Sequence, residues 1–246
     1  MDNSMLIENE DLQEKIVLEV GSGRGDTTRK LIKILSKKQG LKLIVSDISD
    51  SNFQELQDEF SSISLQIQYL CSSAQDLSGI ELNSVDFIVC NYTLCAVNSQ
   101  PCAALLALRR FYEVLKPYGK LFIEEEYPLF HTTSFPFKLW SEKWMLIKSL
   151  LILSGNNPFN EIAPEILGQL CNLIGFTNMF CSNHTCFLPS SEVTGFFQNR
   201  LEVLIKYLSN ENLKTGYLES AQKWQNKIQK DEGMEVPYYR LSVQKI

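Results

Sequence analysis

The chain has 246 residues, of which 44% are hydrophobic and 21% are charged, and its formal net charge is −6. This composition is that of an ordinary globular protein, and it excludes a disordered or collagen-like chain. Because the sequence contains no run of basic residues, a nucleic-acid partner is not expected.

The cysteines and the apolar segments indicate the cellular compartment. Seven cysteines occur without a C-x-x-C pair, and their number is odd. This pattern predicts buried free thiols in a reducing cytoplasm. Residues 1–14 are polar and acidic, unlike a signal peptide, and the most apolar stretch, residues 144–153, is too short to span a bilayer. We therefore expect a cytoplasmic protein with no membrane partner.

In chain order, the first predicted element is Ile16–Gly25, with the sequence IVLEVGSGRG. Apolar residues lead to Glu19, and glycine then occupies every second position up to Gly25. Residues 27–35 follow with apolar side chains at helical spacing, so the unit is a buried strand, a tight glycine loop and a helix. The glycine spacing is not the dinucleotide pattern G-x-G-x-x-G. Amides at the start of such a helix can donate to a polar ligand.

A second predicted strand, residues 41–47, ends in Asp47. In folds of alternating strands and helices, a carboxylate at this place can bind both hydroxyls of an adenosine ribose. A helix cap is the alternative, because Ser49, Asp50 and Ser51 crowd the same turn.

Further elements alternate in the same way. Strands are predicted at 65–70, 85–89 and 120–123, and later at 177–187 and 236–244. The predicted helices are 52–60, 101–115, 164–176, 196–208 and 218–230.

Four features resemble class I S-adenosylmethionine (SAM) dependent methyltransferases, of the type that acts on small molecules in ubiquinone and menaquinone biosynthesis. They are the E-x-G-x-G-x-G loop, the strand ending in Asp47, the segment SSAQDL at 72–77 and LKPYG at 115–119. The sequence departs from the family where Ser73 replaces an acid, Cys95 a histidine and Tyr118 a glycine.

The resemblance implies an α/β fold. Its Rossmann-like, seven-stranded sheet is mostly parallel with the last strand antiparallel, has helices on both faces and carries helical lid insertions. Residues 1–128, 161–189 and 234–246 would form the core, and residues 129–160 and 190–233 the insertions. Since both insertions leave the carboxyl edge of the sheet, where ligands bind, we predict that they pack together over the acceptor site. Aromatic residues of the first insertion either line an acceptor pocket or only attach the lid.

The resemblance also implies SAM as the cofactor and S-adenosylhomocysteine as its product. The glycine loop would approach the methionine carboxylate, Asp47 would hold the ribose and Ile48 would pack on adenine. Glu19 would orient either the loop or the cofactor ammonium. The implied cofactor-binding residues are Glu19, Gly21, Ser22, Gly23, Gly25, Asp47, Ile48, Ser73, Ala74, Asn91 and Tyr92.

The implied reaction is in-line methyl transfer to a small-molecule acceptor, in which the protein chiefly aligns donor and acceptor. A base on the acceptor would come from His131, Glu126 or Tyr127. The glutamates that end the fifth strand could instead be a solvated strand end. The candidate acceptor-binding residues are Leu94, Cys95, Glu124, Phe135, Trp140 and Trp144.

No metal is expected. The segment Cys181-x-x-His184-x-Cys186 lies on one predicted strand, and alternating side chains there cannot close a tetrahedron. Several functions stay open: another SAM reaction such as cyclisation, a non-catalytic SAM-binding or partner protein, and a macromolecular acceptor. The oligomeric state is also open, with a homodimer among the options.

Overall fold

The computed structural model describes residues 5–100, 102–129 and 136–246. It contains a seven-stranded sheet. The strands are β1 Ile16–Val20, β2 Lys42–Asp47, β3 Gln66–Cys71, β4 Val85–Asn91, β5 Leu115–Glu126, β6 Phe176–Pro189 and β7 Gly233–Lys245. Their order in the sheet is β3-β2-β1-β4-β5-β7-β6. The pairs among β1 to β5 are parallel and β7 is antiparallel, which confirms the predicted fold class.

Eight α-helices and two short 3-10 helices, Leu6–Asn9 and Ile205–Tyr207, occur in the described ranges, and the α-helices are numbered in chain order. They are α1 Asp26–Leu35, α2 Phe53–Glu59, α3 Leu94–Val97, α4 Ala103–Val114, α5 Lys138–Leu153, α6 Pro164–Ile174, α7 Ser190–Leu204 and α8 Glu211–Lys230. Helices α1, α2, α4 and α6 lie within a few residues of their predicted positions, and α7 and α8 begin six and seven residues earlier than predicted. No bounds were predicted for α3 or α5. Among the described residues, no helix has the length and apolar character needed to cross a membrane.

The chain divides into two compact units. The first comprises Met1–Glu125, Ile162–Ser182 and Arg240–Ile246. In it, apolar side chains from one face of the central strands pack against the apolar stripes of α1 and α2. This core includes Val17, Leu31, Leu35, Leu43, Val45, Phe53, Phe87, Val89 and Phe122. Because side chains alternate along a strand, Leu121, Ile123 and Glu125 point to the opposite face from Phe122.

The predicted LKPYG turn is a bulge inside β5. Leu115 pairs with Val85 and Lys120 pairs with Phe87, so the four residues 116–119 of β5 face a single residue of β4. Tyr118 adopts the left-handed conformation with φ of +64° and is 72% exposed. The class I methyltransferases that this segment resembles usually have glycine at this position. The left-handed conformation costs Tyr118 conformational energy that it does not cost glycine.

The second unit comprises Glu126–Glu161 and Asn183–Tyr239 and has its own hydrophobic core. Helices α5, α7 and α8, which come from the two predicted insertions, contact one another in it. The core is built around Trp140, Phe197 and Trp224, and the indole of Trp224 donates to the carbonyl of Leu139 over 2.8 Å.

The cysteines correct one expectation. All seven are free thiols, but only Cys90 and Cys171 are buried, whereas Cys71, Cys102 and Cys181 are exposed. The prediction of generally buried thiols is therefore wrong for these three. Cys71 ends β3, Cys102 precedes α4 and Cys181 lies on β6, and all three are exposed to solvent.

Lys245 fastens the end of β7 to the last turn of α4. Its ammonium donates to Asn83 Oδ1 over 2.7 Å and to the carbonyls of Tyr112 and Leu115 over 2.7 and 2.8 Å. The side chain is buried. Its replacement would leave one buried and two partly buried acceptors without this donor.

We expect Lys245→Met to lower the free energy of unfolding by about 3 kcal/mol, since hydrogen bonds from charged donors each contribute about 1.5–3 kcal/mol. Urea unfolding followed by circular dichroism measures the loss. The exposed Lys37→Met is the matched control and should stay within about 0.5 kcal/mol of the wild type. Equal stability of the two variants would contradict this role of Lys245.

Candidate functional site

A cavity of about 360 Å³ opens in the first unit, at the carboxyl ends of the central parallel strands. Such an edge is the usual ligand site of open α/β sheets, and the volume suits a small molecule. Residues that follow β1, β2, β3 and β4 line the cavity. They are Val20, Gly21, Gly23, Asp47, Ile48, Ser72, Ser73, Ala74, Gln75, Tyr92, Thr93, Ala96, Val97, Ser99 and Gln100.

The glycine loop forms one wall of the cavity, and two of its glycines are required for different reasons. Gly21 has φ of +78°, and a Cβ there would lie 2.1 Å from Thr93 Oγ1. Gly23 has φ of +51°, but a Cβ there would meet no atom within 4 Å. The backbone of Gly21 is thus packed against protein, whereas Gly23 faces open space.

Asp47 holds this loop from the end of β2. Its Oδ2 accepts from the backbone N–H of Gly23 over 2.8 Å, and its Oδ1 accepts from that of Ser49 over 2.9 Å. Each carboxylate oxygen has two lone pairs, so both can accept a further hydrogen bond. Asp47 does not cap the helix that follows, because α2 begins at Phe53 with Asn52 as its N-cap, and its contact with a ribose stays a prediction.

An apolar side chain and a turn form the next wall. Ile48 is 77% exposed, although it lines the cavity. The turn after β3, which comprises residues 72–75 and includes Ser73, also lines the cavity. Arg110 of α4 supports this turn, since it donates to the carbonyls of Asp76 and Ile80 over 2.6 and 2.7 Å.

The last wall follows β4 and was largely missed by the sequence analysis. Tyr92, which was predicted, is joined there by Thr93 and by four residues in or after α3: Ala96, Val97, Ser99 and Gln100. No sequence motif marks these four residues, because only the short helix α3 turns them toward the cavity.

Glu19 lies outside the cavity lining. It is 1% exposed, and neither carboxyl oxygen has a hydrogen-bond partner among the described residues. Burial raises the pKa of this carboxyl to about 8, and the charge of Asp47 raises it further, against the opposing effect of the nearby Thr28 hydroxyl. The Glu19 carboxyl is therefore protonated at neutral pH, and its contact with a cofactor ammonium stays a prediction.

Three other predicted cofactor residues also lie outside the lining. Ser22 is buried, and its hydroxyl has no partner in the described part of the chain. Gly25 has φ of +89°, and a Cβ there would meet Leu56 at 2.5 Å. Asn91 lines a much smaller space beside Glu124. Ser22 and Gly25 shape the loop; whether these three residues bind cofactor stays a prediction.

Glu124, a predicted acceptor-binding residue, accepts hydrogen bonds in the first unit. Tyr92 donates to its Oε1 over 2.7 Å, and Arg240 donates to its Oε2 over 2.7 Å in a largely buried ion pair. If Glu124 also binds the acceptor, it would do so through carboxylate lone pairs that Tyr92 and Arg240 do not use.

Glu125 turns to the opposite face and accepts from the backbone N–H of Leu94 over 2.6 Å. It is 2% exposed. Burial raises the pKa of this carboxyl to about 8, while the Cys95 thiol and the amides that follow β4 act in the opposite direction. Leu94 itself is fully buried, and Cys95 is half-buried.

In the second unit, Glu126 Oε2 accepts from the indoles of Trp140 and Trp144 over 2.5 and 2.6 Å. Tyr127 donates to Asn183 Oδ1. Trp140 is fully buried in that unit's core, so contact with an acceptor would need the core to open. His131 and Phe135 lie outside the described residues.

The predicted absence of a metal was argued from the strand that carries His184. That ring stacks on Tyr238 at 5.2 Å between centroids. Among the residues that the structure describes, no three His, Cys, Asp or Glu side chains are grouped as metal ligands.

Residues 17–119 match the protein family described as methyltransferase domain. No curated protein matches the chain in sequence. The matched range contains the glycine loop, Asp47, Ser73 and the turn after β4, which together supply most of the cavity lining.

Solved structures of several methyltransferases have this fold. A SAM-dependent methyltransferase from Methanosarcina mazei is 16% identical, with a TM-score of 0.61 over 100% of this chain and 99% of that chain. Phosphoethanolamine N-methyltransferase 2 from Haemonchus contortus, in complex with phosphomonomethylethanolamine and S-adenosylhomocysteine, is 16% identical, with a TM-score of 0.55 over 96% of this chain and 50% of that chain. The [4+2]-cyclase SpnF is 15% identical, with a TM-score of 0.53 over 95% and 75%.

At these identities the structural likeness describes the fold alone, and the family match covers residues 17–119 of the 246. The match covers the strand, the glycine loop and the acidic strand end that the cavity is built from. Residues 17–119 are therefore similar to a methyltransferase domain, and the fold of the chain is the one that these solved methyltransferases have.

Proposed function

We propose that the protein transfers the methyl group of SAM to a small-molecule acceptor, with the cavity after β1 to β4 as its cofactor site. One observation carries the proposal. The cavity joins an open glycine backbone at Gly23, a carboxylate at Asp47 and an exposed apolar side chain at Ile48. These groups suit the charged, hydroxylated and aromatic parts of SAM in turn.

The residues present fit this cofactor by their chemistry. Asp47 keeps free lone pairs for two ribose hydroxyls. Ile48 offers an apolar surface to adenine, and burying it removes exposed hydrophobic area from water. Ser73 and the backbone of Ala74 can serve polar atoms at the adenine edge, and Gly23 leaves room close to the main chain.

When bound, SAM supplies an activated methyl group, so the protein's own task is to position the acceptor and exclude water. The predicted base on the acceptor is His131, Glu126 or Tyr127. Of these, Glu126 already accepts two indole donors, which would hold its carboxylate in a fixed orientation.

The small-molecule class of the acceptor is supported by charge and by one likeness. The chain has a net charge of −6 and no basic run with which to bind nucleic acid. The Haemonchus enzyme, whose fold is similar, was solved with a small phosphorylated amine. We further propose that the helical unit of α5, α7 and α8 determines which acceptor is used.

Isothermal titration calorimetry with S-adenosylhomocysteine tests the cofactor site. Asp47→Ala is expected to weaken binding about tenfold or more, because it removes a charge-assisted bidentate contact and the support of Gly23. Asp50→Ala is the matched control, since Asp50 is an exposed carboxylate of the same turn, and it should bind like the wild type.

No binding of millimolar cofactor by the wild-type protein would end the proposal. Mass spectrometry of the products separates the reaction types. An acceptor heavier by one methyl group supports transfer, whereas a rearranged acceptor of unchanged mass would support cyclisation instead.

A further inference from the structure

The turn between β4 and α3 is a strained part of the cavity wall. Tyr92 has φ of +50°, a left-handed conformation that is costly for a bulky residue. Such a conformation persists only when the surrounding structure holds it. Tyr92, Thr93, Ala96 and Val97 from this segment all line the cavity.

One side of this turn is held by Glu124 at the end of β5. The backbone N–H of Tyr92 donates to the carbonyl of Glu124 over 2.7 Å, and the tyrosine hydroxyl donates to its carboxylate. These two contacts fix Tyr92, at the start of the turn. They do not reach the amides that follow, at positions 94 and 95.

Glu125 reaches those amides. Its Oε1 accepts from Leu94 N over 2.6 Å and from Cys95 N over 3.4 Å. The first is short and buried, and a neutral carboxyl group can accept it through its carbonyl oxygen. The two amides belong to the first residues of α3, which have no earlier carbonyl of that helix to bond.

Glu125 has no other evident task among the described residues. It does not line the cavity, and its Oε2 is buried without a hydrogen-bond partner. The titratable groups that face it are the thiols of Cys90 on β4 and Cys95 on α3. Burying a carboxyl group with an unpaired oxygen is costly, so an apolar core residue would serve better if packing were its only function.

We propose that Glu125 is a positioning residue that holds the turn after β4 in the shape that binds the methionine half of the cofactor. It acts through the amides of Leu94 and Cys95 and does not touch the cofactor. The inference rests on the proposed function for the identity of the ligand, whereas the shape of the turn can be measured without any ligand.

The test compares Glu125→Leu, which removes both acceptors, with Glu125→Gln, which keeps one carbonyl oxygen. The exposed Glu81→Gln is the control. Hydrogen–deuterium exchange of the cofactor-free proteins, read by mass spectrometry on peptides that cover residues 92–100, reports the turn itself. We expect faster exchange there in Glu125→Leu, with peptides from β1 and β2 unchanged.

Calorimetry with S-adenosylhomocysteine and with adenosine then separates positioning from general damage. Glu125→Leu is expected to bind S-adenosylhomocysteine at least about tenfold more weakly but adenosine within about threefold of the wild type, because only the longer ligand reaches the turn. Glu125→Gln should restore most of the loss.

Unchanged exchange over residues 92–100 in Glu125→Leu would overturn the inference, and so would equal losses for the two ligands. If the wild-type protein binds neither ligand, the proposed function fails. The exchange comparison would then still decide whether Glu125 holds the turn.

Discussion

Gly21→Ala is expected to lower the free energy of unfolding by at least about 3 kcal/mol, from overpacking and backbone strain together. A Cβ at this position would lie 2.1 Å from Thr93 Oγ1 and 2.4 Å from its methyl carbon. Thr93 is β-branched and its hydroxyl already donates to the carbonyl of Asn91 over 2.9 Å, so it has few other rotamers to take. Urea unfolding followed by circular dichroism measures the loss.

Gly23→Ala is the matched control in the same loop. Its φ is also positive, but its Cβ would meet nothing within 4 Å, so the expected loss of stability is only about 1 kcal/mol. The new methyl group would instead occupy the cavity. Gly23→Ala should therefore fold and bind S-adenosylhomocysteine weakly. Equal losses of stability in the two variants would contradict this account of the loop.

The stability of the wild-type protein is expected to fall as the pH rises from about 4.5 to about 8, and Glu19 is a principal cause. Its pKa is about 8 in the folded protein against 4.5 for a free side chain. Between these values the folded state keeps a proton that the unfolded chain releases, so raising the pH favours unfolding. Above the folded pKa both states are ionised and the dependence ends.

Glu19→Gln removes this titrating group, so the free energy of unfolding should depend less on pH. At pH 9 the variant is expected to be more stable than the wild type by roughly 3–5 kcal/mol, since one pKa unit corresponds to about 1.4 kcal/mol. Near pH 4 the two should be alike. Urea unfolding across this range is the measurement, with the exposed Glu55→Gln as control. A parallel pH dependence in Glu19→Gln and the wild type would show that Glu19 ionises normally. Glu125 is shifted in the same direction, so some slope remains in the single variant.

Local sequence patterns predicted the parts of the site that lie on consecutive residues. The strand, glycine loop and helix at 16–35 and the acid at the end of β2 are short-range features. Their glycine spacing and apolar periodicity are printed in the sequence, and the fold class that they imply is confirmed. The cavity lies where the carboxyl ends of those strands meet.

The remaining parts depend on contacts between distant residues. The amides that Glu125 accepts are 30 and 31 positions away, and no periodicity links them. Ser99 and Gln100 reach the cavity only because α3 turns the chain. The sequence left open whether Trp140 and Trp144 line a pocket or attach the lid. Their indoles bond to Glu126, a pairing that composition cannot reveal.

The three successive glutamates of β5 accept hydrogen bonds from different partners. Glu124 accepts hydrogen bonds from Tyr92 and Arg240, Glu125 accepts them from the amides after β4, and Glu126 accepts them from two indoles. Since neighbouring side chains of a strand face opposite ways, a one-residue slip would deliver each carboxylate to donors meant for another. We therefore expect a single-residue insertion or deletion between Lys120 and Glu126 to be far more damaging than the exchange of some side chains in this part of β5.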